Sequence, residues 1–564
     1  SLTNLTGLGA FTTLPAGLTV TGNASLTNLT GLGALTSITG TFSLQSNNAL
    51  TNLTGLEALT TVTGGLTIRL NPVLANFTGM GALTSVTGAF TASDNAGLVN
   101  FTGLTALTSL SGYVRIENNA ALTSLNGLNT LNSTGSLSIS NDDALTDLSG
   151  LGGLTTIGGV LSIGNHNSLT SLTGLSSLTT VANGVGIYQN AALANLSGLD
   201  ALTSIGGTLE ILSNPALANL TGLGALTSTT GGFRIIGNNV LTTLTGLGPV
   251  STVTYLEIRE NSILTNLTAL STITTMGTGS VDVEHNVMLT SLSGLENINH
   301  ATITNLIITS HPMLAVCELP NICSYLNTPS NPATISGNAT GCATRTQVEN
   351  ICYPPKNWTG ATDNWDNPAG WTPAGVPTTQ DKVLLDVGDN VTVPAGFTAL
   401  ARSVYLSGGA ALTVGATGTL AINGAAEDGM QVAGANTSVT IAGSLKIGEN
   451  TAIYRHGIYL TGGTFTTLST SLIEINRTTT GEGINSTISF TNNGALHIGN
   501  IASIKTNGLY LNGMKTFTNA AGAICTIDNV LEGAGIRPQA GGTLSNSGTL
   551  LIGNSTAIQN FGIN

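Results

Sequence analysis

Apolar residues recur through the first half of the chain at short, regular intervals. A unit such as Leu50-Thr51-Asn52-Leu53-Thr54-Gly55-Leu56 is followed by Ala58-Leu59-Thr60-Thr61-Val62, then by Gly65-Leu66-Thr67-Ile68, and closes on Asn71. These are three apolar alternations separated by turn residues. Period-two alternation predicts strands, and the Gly and Asn breaks leave no room for helices of about 10 residues. The anchor leucine of each unit falls at Leu2, Leu26, Leu50, Leu74, Leu98, Leu122, Leu145, Leu169, Leu193, Leu217, Leu241, Leu264, Leu289 and Leu314. Successive spacings are 24 residues in nine cases, 23 in two and 25 in two. A fixed period of this size predicts a solenoid with one coil per unit and parallel strands stacked about 4.8 Å apart.

A polar ladder keeps the same register. Three residues before the anchors stand Asn23, Asn47, Asn71, Asn95, Asn119, Asn190, Asn214, Asn238, Asn261 and Asn286, with Asp142, His166 and His311 in other units. An asparagine at one corner of every coil can bond the turn backbone and the asparagine stacked above it, satisfying polar groups that burial would strand. The two histidines occupy ladder positions and read as structural rather than as ligands. The glycine of the "TGL" step, from Gly7 and Gly31 through Gly246 to Gly294, is expected at a turn, and Ala269 replaces it in one unit.

The pattern changes after Cys352. At Pro354-Pro355-Lys356 the first period has ended, and Trp358, Trp365 and Trp371 follow closely. They read as a capping core in preference to a sugar-stacking platform. Beyond them Leu412, Val439, Phe465, Phe490, Phe517 and Leu544 recur every 25 to 27 residues. Gly429-Met430, Gly457-Ile458, Gly483-Ile484, Gly508-Leu509, Gly535-Ile536 and Gly562-Ile563 run in parallel with them. Two markers at nearly one interval predict a coil of three strands. The expected fold class is all-β, with two consecutive parallel β-solenoids. The first occupies residues 1–316, a cysteine-containing cap 317–353, a linker with a Trp-rich N-terminal cap 354–411, and the second solenoid 412–564.

The repeat "LTxLTGLxALTxIxGxLxIxxN" resembles the leucine-rich, receptor L-domain-like repeats of secreted surface proteins, especially those of Bacteroidetes. The likeness covers residues 1 to about 353. It extends to the ending, Leu314-Ala315-Val316-Cys317 with Pro320-Asn321-Ile322-Cys323, then Ser336-Gly337-Asn338 with Gly341-Cys342, then Val348-Glu349-Asn350-Ile351-Cys352, which is similar to the family's C-terminal cap. The tryptophan segment resembles the opening of β-helix domains in bacterial surface proteins. The second period is similar to a right-handed parallel β-helix of adhesin or pectin-lyase-like architecture. The resemblance implies export by the type IX route, with a sorting domain beyond Asn564. The chain opens and stops inside repeat units, as expected for a piece of a longer protein.

Cys317, Cys323, Cys342 and Cys352 lie in the cap without a CxxC, and no histidine follows His311 there. Two disulfides are therefore expected over a zinc site, in any of three pairings. Disulfides point to an oxidising, extracellular compartment. Cys525, within Ala523-Ile524-Cys525-Thr526-Ile527, reads as an inert buried thiol.

Charge narrows the function. Only 7% of residues are charged, the net charge is −13, and no lysine precedes Lys356. That balance excludes a nucleic-acid partner, which needs clustered Lys and Arg. No apolar run approaches the ~18 residues of a membrane helix. Residues 1–315 hold seventeen charges, of which Glu57, Asp147, Asp200 and Glu296 are scattered. The other thirteen lie on the strand before the ladder or at its corner: Arg69, Asp94, Arg115, Glu117, Asp142, Asp143, Glu210, Arg234, Glu257, Arg259, Glu260, Asp282 and Glu284. Solubility alone would not select one face, so this face is the expected contact surface. Its binding residues are Arg69, Tyr113, Arg115, Glu117, Tyr188, Glu210, Arg234, Tyr255, Glu257, Arg259, Asp282 and Glu284. The densest part joins Tyr255, Glu257, Arg259 and Glu260 to Asp282, Glu284 and His285. Calcium could bridge such carboxylates, but no DxDxDG-type loop accompanies them and no metal is expected.

Catalysis is not expected either. GxSxG, HExxH and P-loop motifs are absent, and Glu427-Asp428, Asp386 with Asp389, and the Glu257 group form no catalytic pattern. The threonines lack the TxT rows of ice-binding faces and read as strand formers. The sequons at Asn28, Asn52 and Asn219 are products of the repeat. The expectation is a secreted cell-surface adhesin or appendage component without cofactor, whose rigid repeat presents many weak contacts to glycan or protein ligands. The alternative is a homo-oligomeric, self-assembling fibre or ring subunit, ahead of a polysaccharide-binding or polysaccharide-cleaving β-helix.

Overall fold

A computed structural model describes residues 2–553 apart from 278, 329, 360–361, 425–427, 451, 501 and 540. Glu427 and the Gly562-Ile563 marker lie outside the described residues. The chain is mostly β, with 33% strand and 6% helix, and forms a parallel β-solenoid. It divides into two compact units, one of Ser1–Tyr325 with Pro332–Val348, the other of Leu326–Asn331 with Glu349–Asn564.

In the first unit the coils feed a 22-stranded parallel sheet, with a separate parallel pair formed by Thr252–Val253 and Thr275–Met276, counted among the described residues. Register follows the sequence period: Leu18 pairs with Phe42, Phe42 with Leu66, and the row continues through Leu209 with Phe233 to Leu306 with Ala333. Alternation sets the faces. In Leu209–Leu212, Leu209 and Ile211 are buried while Glu210 and Leu212 point outward. The leucines of the "LTxLTGLxAL" arm, such as Leu50, Leu53, Leu56 and Leu59, are all fully buried. Each contributes about 2 kcal/mol of apolar burial.

The ladder supplies the polar half of that interior. Asn214 Oδ1 accepts the backbone N–H of Asn190 at 3.1 Å, and its Nδ2 donates to Ile187 O at 3.0 Å and to Asn238 Oδ1 at 3.3 Å. The corresponding bonds recur at Asn47, Asn71, Asn95, Asn238 and Asn261. His166 and His311 hold the same positions, their Nε2 atoms facing Ile139 O and Val283 O. A second set of staples comes from threonine: Thr60 Oγ1 donates to Thr36 O and Thr84 Oγ1 to Thr60 O, both at 3.0 Å.

Two turn columns complete the coil. The residue before each ladder position is left-handed, as at Leu70 (φ 56°), Gln189 (φ 54°) and Glu260 (φ 57°), although few of these residues are glycine. The "TGL" turn does require glycine where it is tightest. Gly55 has φ 107°, and a Cβ there would lie 2.1 Å from Leu29 O. Gly7, Gly150 and Ala269 instead sit in the short helical turns Thr6–Leu8, Ser149–Leu151 and Thr268–Leu270.

The sheet ends at Ala333–Ser336, between the helices Pro320–Leu326 and Arg345–Cys352. Cys317 and Cys342 form a disulfide with Cα atoms 5.6 Å apart, and Cys323 and Cys352 are disulfide-bonded as well.

In the second unit three sheets of 9, 8 and 7 strands run along the coils, counted among the described residues, all parallel except for the antiparallel pairing of Trp371–Thr372 with Lys356–Trp358. The two sequence markers lie in different sheets: Met430 stacks on Ile458 and then Ile484, while Leu412 stacks on Val439 and then Phe465. Stacking starts upstream of residue 412, where Lys382–Leu385 pairs with Ser403–Leu406 in a shorter coil. Trp358, Trp365 and Trp371 are buried with their rings edge-on, and Trp371 Nε1 donates to Trp365 O at 2.9 Å. They fill the core at the start of the stack and offer no exposed platform. Burial pushes the Cys525 thiol up to about 12, so it stays protonated and inert.

Candidate functional site

The outer face of the long sheet carries the chemically varied positions. Two outward columns run along it. One includes Arg115, Ser138, Ser162, Gly186, Glu210, Arg234, Glu257 and Asp282, and the other Glu117, Ser140, Gly164, Tyr188, Leu212, Ile236, Arg259 and Glu284. Tyr113 and Tyr255 stand just ahead of their strands' outward residues, and Tyr113 is exposed. The strands thus bring Tyr188, Glu210, Arg234, Tyr255, Glu257, Arg259, Asp282 and Glu284 together over five successive coils. Arg69, Tyr113, Arg115 and Glu117 lie further toward the N-terminus.

The charges on this face mostly satisfy one another. Arg234 bridges Glu210 at 2.8 Å and Glu257 at 2.7 Å. Arg259 contacts Glu257 at 3.1 Å, Glu284 at 3.3 Å and Asp282. Arg115 pairs with Glu117 at 2.7 Å, and Arg69 with Asp94 at 3.7 Å. The hydrogen bonds to Glu257 and Glu210 hold Arg234 firmly protonated. Burial pushes the Asp282 carboxyl up against the pull of Arg259, and Glu284 adds to the rise. The Arg259 guanidinium thus lies among the carboxylates of Glu257, Asp282 and Glu284. Among the described residues, each arginine of the first unit's outer sheet face has a carboxylate partner, which leaves little unpaired positive charge for an anionic ligand.

The glycines and tyrosines shape the surface. The Tyr188 ring lies across Gly164, where a Cβ would come within 2.1 Å of it, and Tyr188 Oη bonds Ser162 Oγ at 3.1 Å. Tyr255 leans over Gly232 in the same way and its Oη reaches Thr208 Oγ1 at 3.1 Å. Next to Tyr188 is a groove of about 380 Å³ lined by Val160, Ser162, Gly184, Val185, Gly186, Tyr188, Thr208 and Glu210. Of the lining residues, Tyr188 and Glu210 are among the binding-face residues expected from the sequence and the others are not. The signal was present as Gly184 and Gly186, which leave consecutive outward positions of one coil bare.

The remaining polar candidates have structural partners. Glu57, Asp147, Asp200 and Glu296 accept turn N–H groups from Gly55, Ser149, Gly198 and Gly294. The sequon residues Asn28, Asn52 and Asn219 likewise accept from Thr30, Thr54 and Thr221. Asp389 caps the turn at Asp386 N. Asp428 accepts from the His456 backbone, and His456 Nδ1 pairs with Glu482 at 2.7 Å, forming a second polar ladder ahead of the Gly457 and Gly483 markers.

No family model and no curated protein matches the chain.

Proposed function

We propose that this is a secreted, non-catalytic surface protein of the leucine-rich, L-domain-like type, in which the solenoid displays its outer sheet face for attachment. One observation carries the reading: that face and its corner gather most of the first unit's charges together with Tyr113, Tyr188 and Tyr255, whereas the other sides mainly repeat threonine and asparagine used as coil-to-coil staples. Structural demands explain the staples and leave the outer columns free to vary. Disulfides in the cap fit an oxidising, extracellular setting, and type IX export would deliver the protein there. Stacked coils hold ligand groups at fixed spacing, so contacts that are individually weak add up.

The test uses beads coated with the purified protein and scored for attachment to cell surfaces and glycan arrays. Tyr113→Ala combined with Glu257→Ala, Arg259→Ala and Glu284→Ala is expected to abolish attachment while the far-UV spectrum is kept. Attachment equal to the parent protein would overturn the recognition face.

A self-assembling subunit is the second reading, favoured by a row of exposed apolar residues. Val240, Ile263, Met288 and Met313 occupy the position before the anchor leucine in successive coils, each 37 to 47% exposed. Such a stripe is costly in water and is suited to contact between copies. Mass photometry is expected to show oligomers that dissociate when these four residues are changed to serine, and a monomer at micromolar concentration would contradict this reading.

A further inference from the structure

We propose that the groove over Gly184 and Gly186 is a binding site for a neutral oligosaccharide, an inference that rests on reading this sheet face as a recognition surface. The first argument is the floor. Glycine inside a strand costs roughly 0.5–1 kcal/mol relative to alanine and is normally excused by a left-handed backbone or a close neighbour. Gly164 has such an excuse in the Tyr188 ring. Gly186 has none: its backbone is not left-handed, and the nearest atom to an added Cβ would be Tyr188 Cδ1 at 3.8 Å, an ordinary contact. The coils on either side carry Ser162 and Glu210 at this position. The bare strip therefore keeps space open for something outside the chain.

The walls indicate what fits. A half-buried tyrosine ring, fixed by Gly164 beneath it and by Ser162 at its hydroxyl, presents a flat apolar surface of the kind that packs against the C–H face of a pyranose. Ser162, Thr208 and Tyr188 offer hydroxyls, and Glu210, whose Oε1 is held by Arg234, offers Oε2 as an acceptor for sugar hydroxyls. A groove of about 380 Å³ lies within the range of small-ligand sites. Anionic sugars are disfavoured because Glu210 is on the wall and Arg234 is already committed to Glu210 and Glu257. An extended peptide gains little here, since the strands that form the floor are bonded on both sides and present no free edge.

The test is saturation-transfer NMR and calorimetry of the whole chain with cellotetraose, maltotetraose, mannotetraose and chitotetraose, with tetragalacturonate as the acidic comparison. At least one neutral tetrasaccharide is expected to bind. Gly186→Ala should weaken it modestly, and Gly186→Val and Tyr188→Ala by about tenfold or more. Tyr188→Phe, which keeps the ring, should retain binding. Melting curves show that each variant is folded, and the graded Ala and Val pair separates groove filling from unfolding. Three results would overturn the proposal: no neutral oligosaccharide binding at millimolar concentration, binding indifferent to both Gly186 substitutions, or binding of tetragalacturonate alone. If any of these occurs while coated beads still attach through the face residues, the groove assignment fails and the recognition reading stands. Loss of both would remove both.

Discussion

Asp142 stands where the ladder elsewhere places asparagine, and it is fully buried. Its Oδ1 accepts from Asn119 N at 2.7 Å and Nδ2 at 3.2 Å, but Oδ2 has no hydrogen-bond partner. By register the neighbouring asparagines use that second atom, a nitrogen, to donate to a strand carbonyl of the preceding coil. Only a protonated carboxyl can donate in the same way, and burial pushes the Asp142 carboxyl up from 3.8 to about 7. Below about pH 4 it is neutral both folded and unfolded, and its contribution to stability is complete. As pH rises toward 7 the unfolded chain ionises first, so stability falls by on the order of 4 kcal/mol and then levels off. Asp142→Asn is therefore expected to raise the melting temperature at pH 8 and leave it nearly unchanged at pH 4, and a variant no more stable than the parent at pH 8 would contradict the ladder role. Burial lowers His166 and His311, so their contribution is complete above about pH 6.5 and is lost on acidification. The ladder itself was legible in the sequence, exceptions included, because hydrogen bonding at a fixed corner restricts residue type. The left-handed column beside it was not, because Ser46, Leu70, Asp94 and Glu260 carry no common chemical signature.

At the scale of elements, coils are joined by many short bonds, and stability passes from neighbour to neighbour. The cap matters because the last coil has a neighbour on one side only. Its Cys317–Cys342 bridge closes a span of 25 residues, which constrains the unfolded chain by about 3 kcal/mol. Replacing both cysteines by serine is expected to speed hydrogen exchange in Leu306–Thr309 and Ala333–Ser336 while leaving Leu66–Arg69 unchanged. Equal exchange in the cap strands would show that the bridge adds no stability there. The strands were readable from alternation, and the first unit's step from its leucines. The beginning of stacking in the second unit was not, because the pairing of Lys382 with Ser403 advances by a shorter step than the later coils do. The groove escaped notice for a different reason. It is made by missing side chains at Gly184 and Gly186, whereas sequence reading of a binding face looks for charges and aromatics that are present.

At the scale of the molecule, low charge takes on a specific meaning. The acidic and basic groups of the outer face are largely consumed in pairs such as Arg234 with Glu257, each of which adds little to stability at the surface. What the face offers a partner is a set of tyrosines, hydroxyls and carboxylate oxygens repeated along a rigid sheet, and recognition of that kind depends on many contacts made at once. Hydroxyl-radical footprinting of the protein alone and mixed with the cell-surface material proposed as its partner tests this most directly, with side-chain oxidation read by mass spectrometry. The expected result is protection of Tyr113, Tyr188 and Tyr255, with Tyr405, Tyr459 and Tyr510 of the second unit labelled equally in both states. Unchanged labelling of the three outer-face tyrosines in the bound state would contradict the assignment of this face as the binding surface.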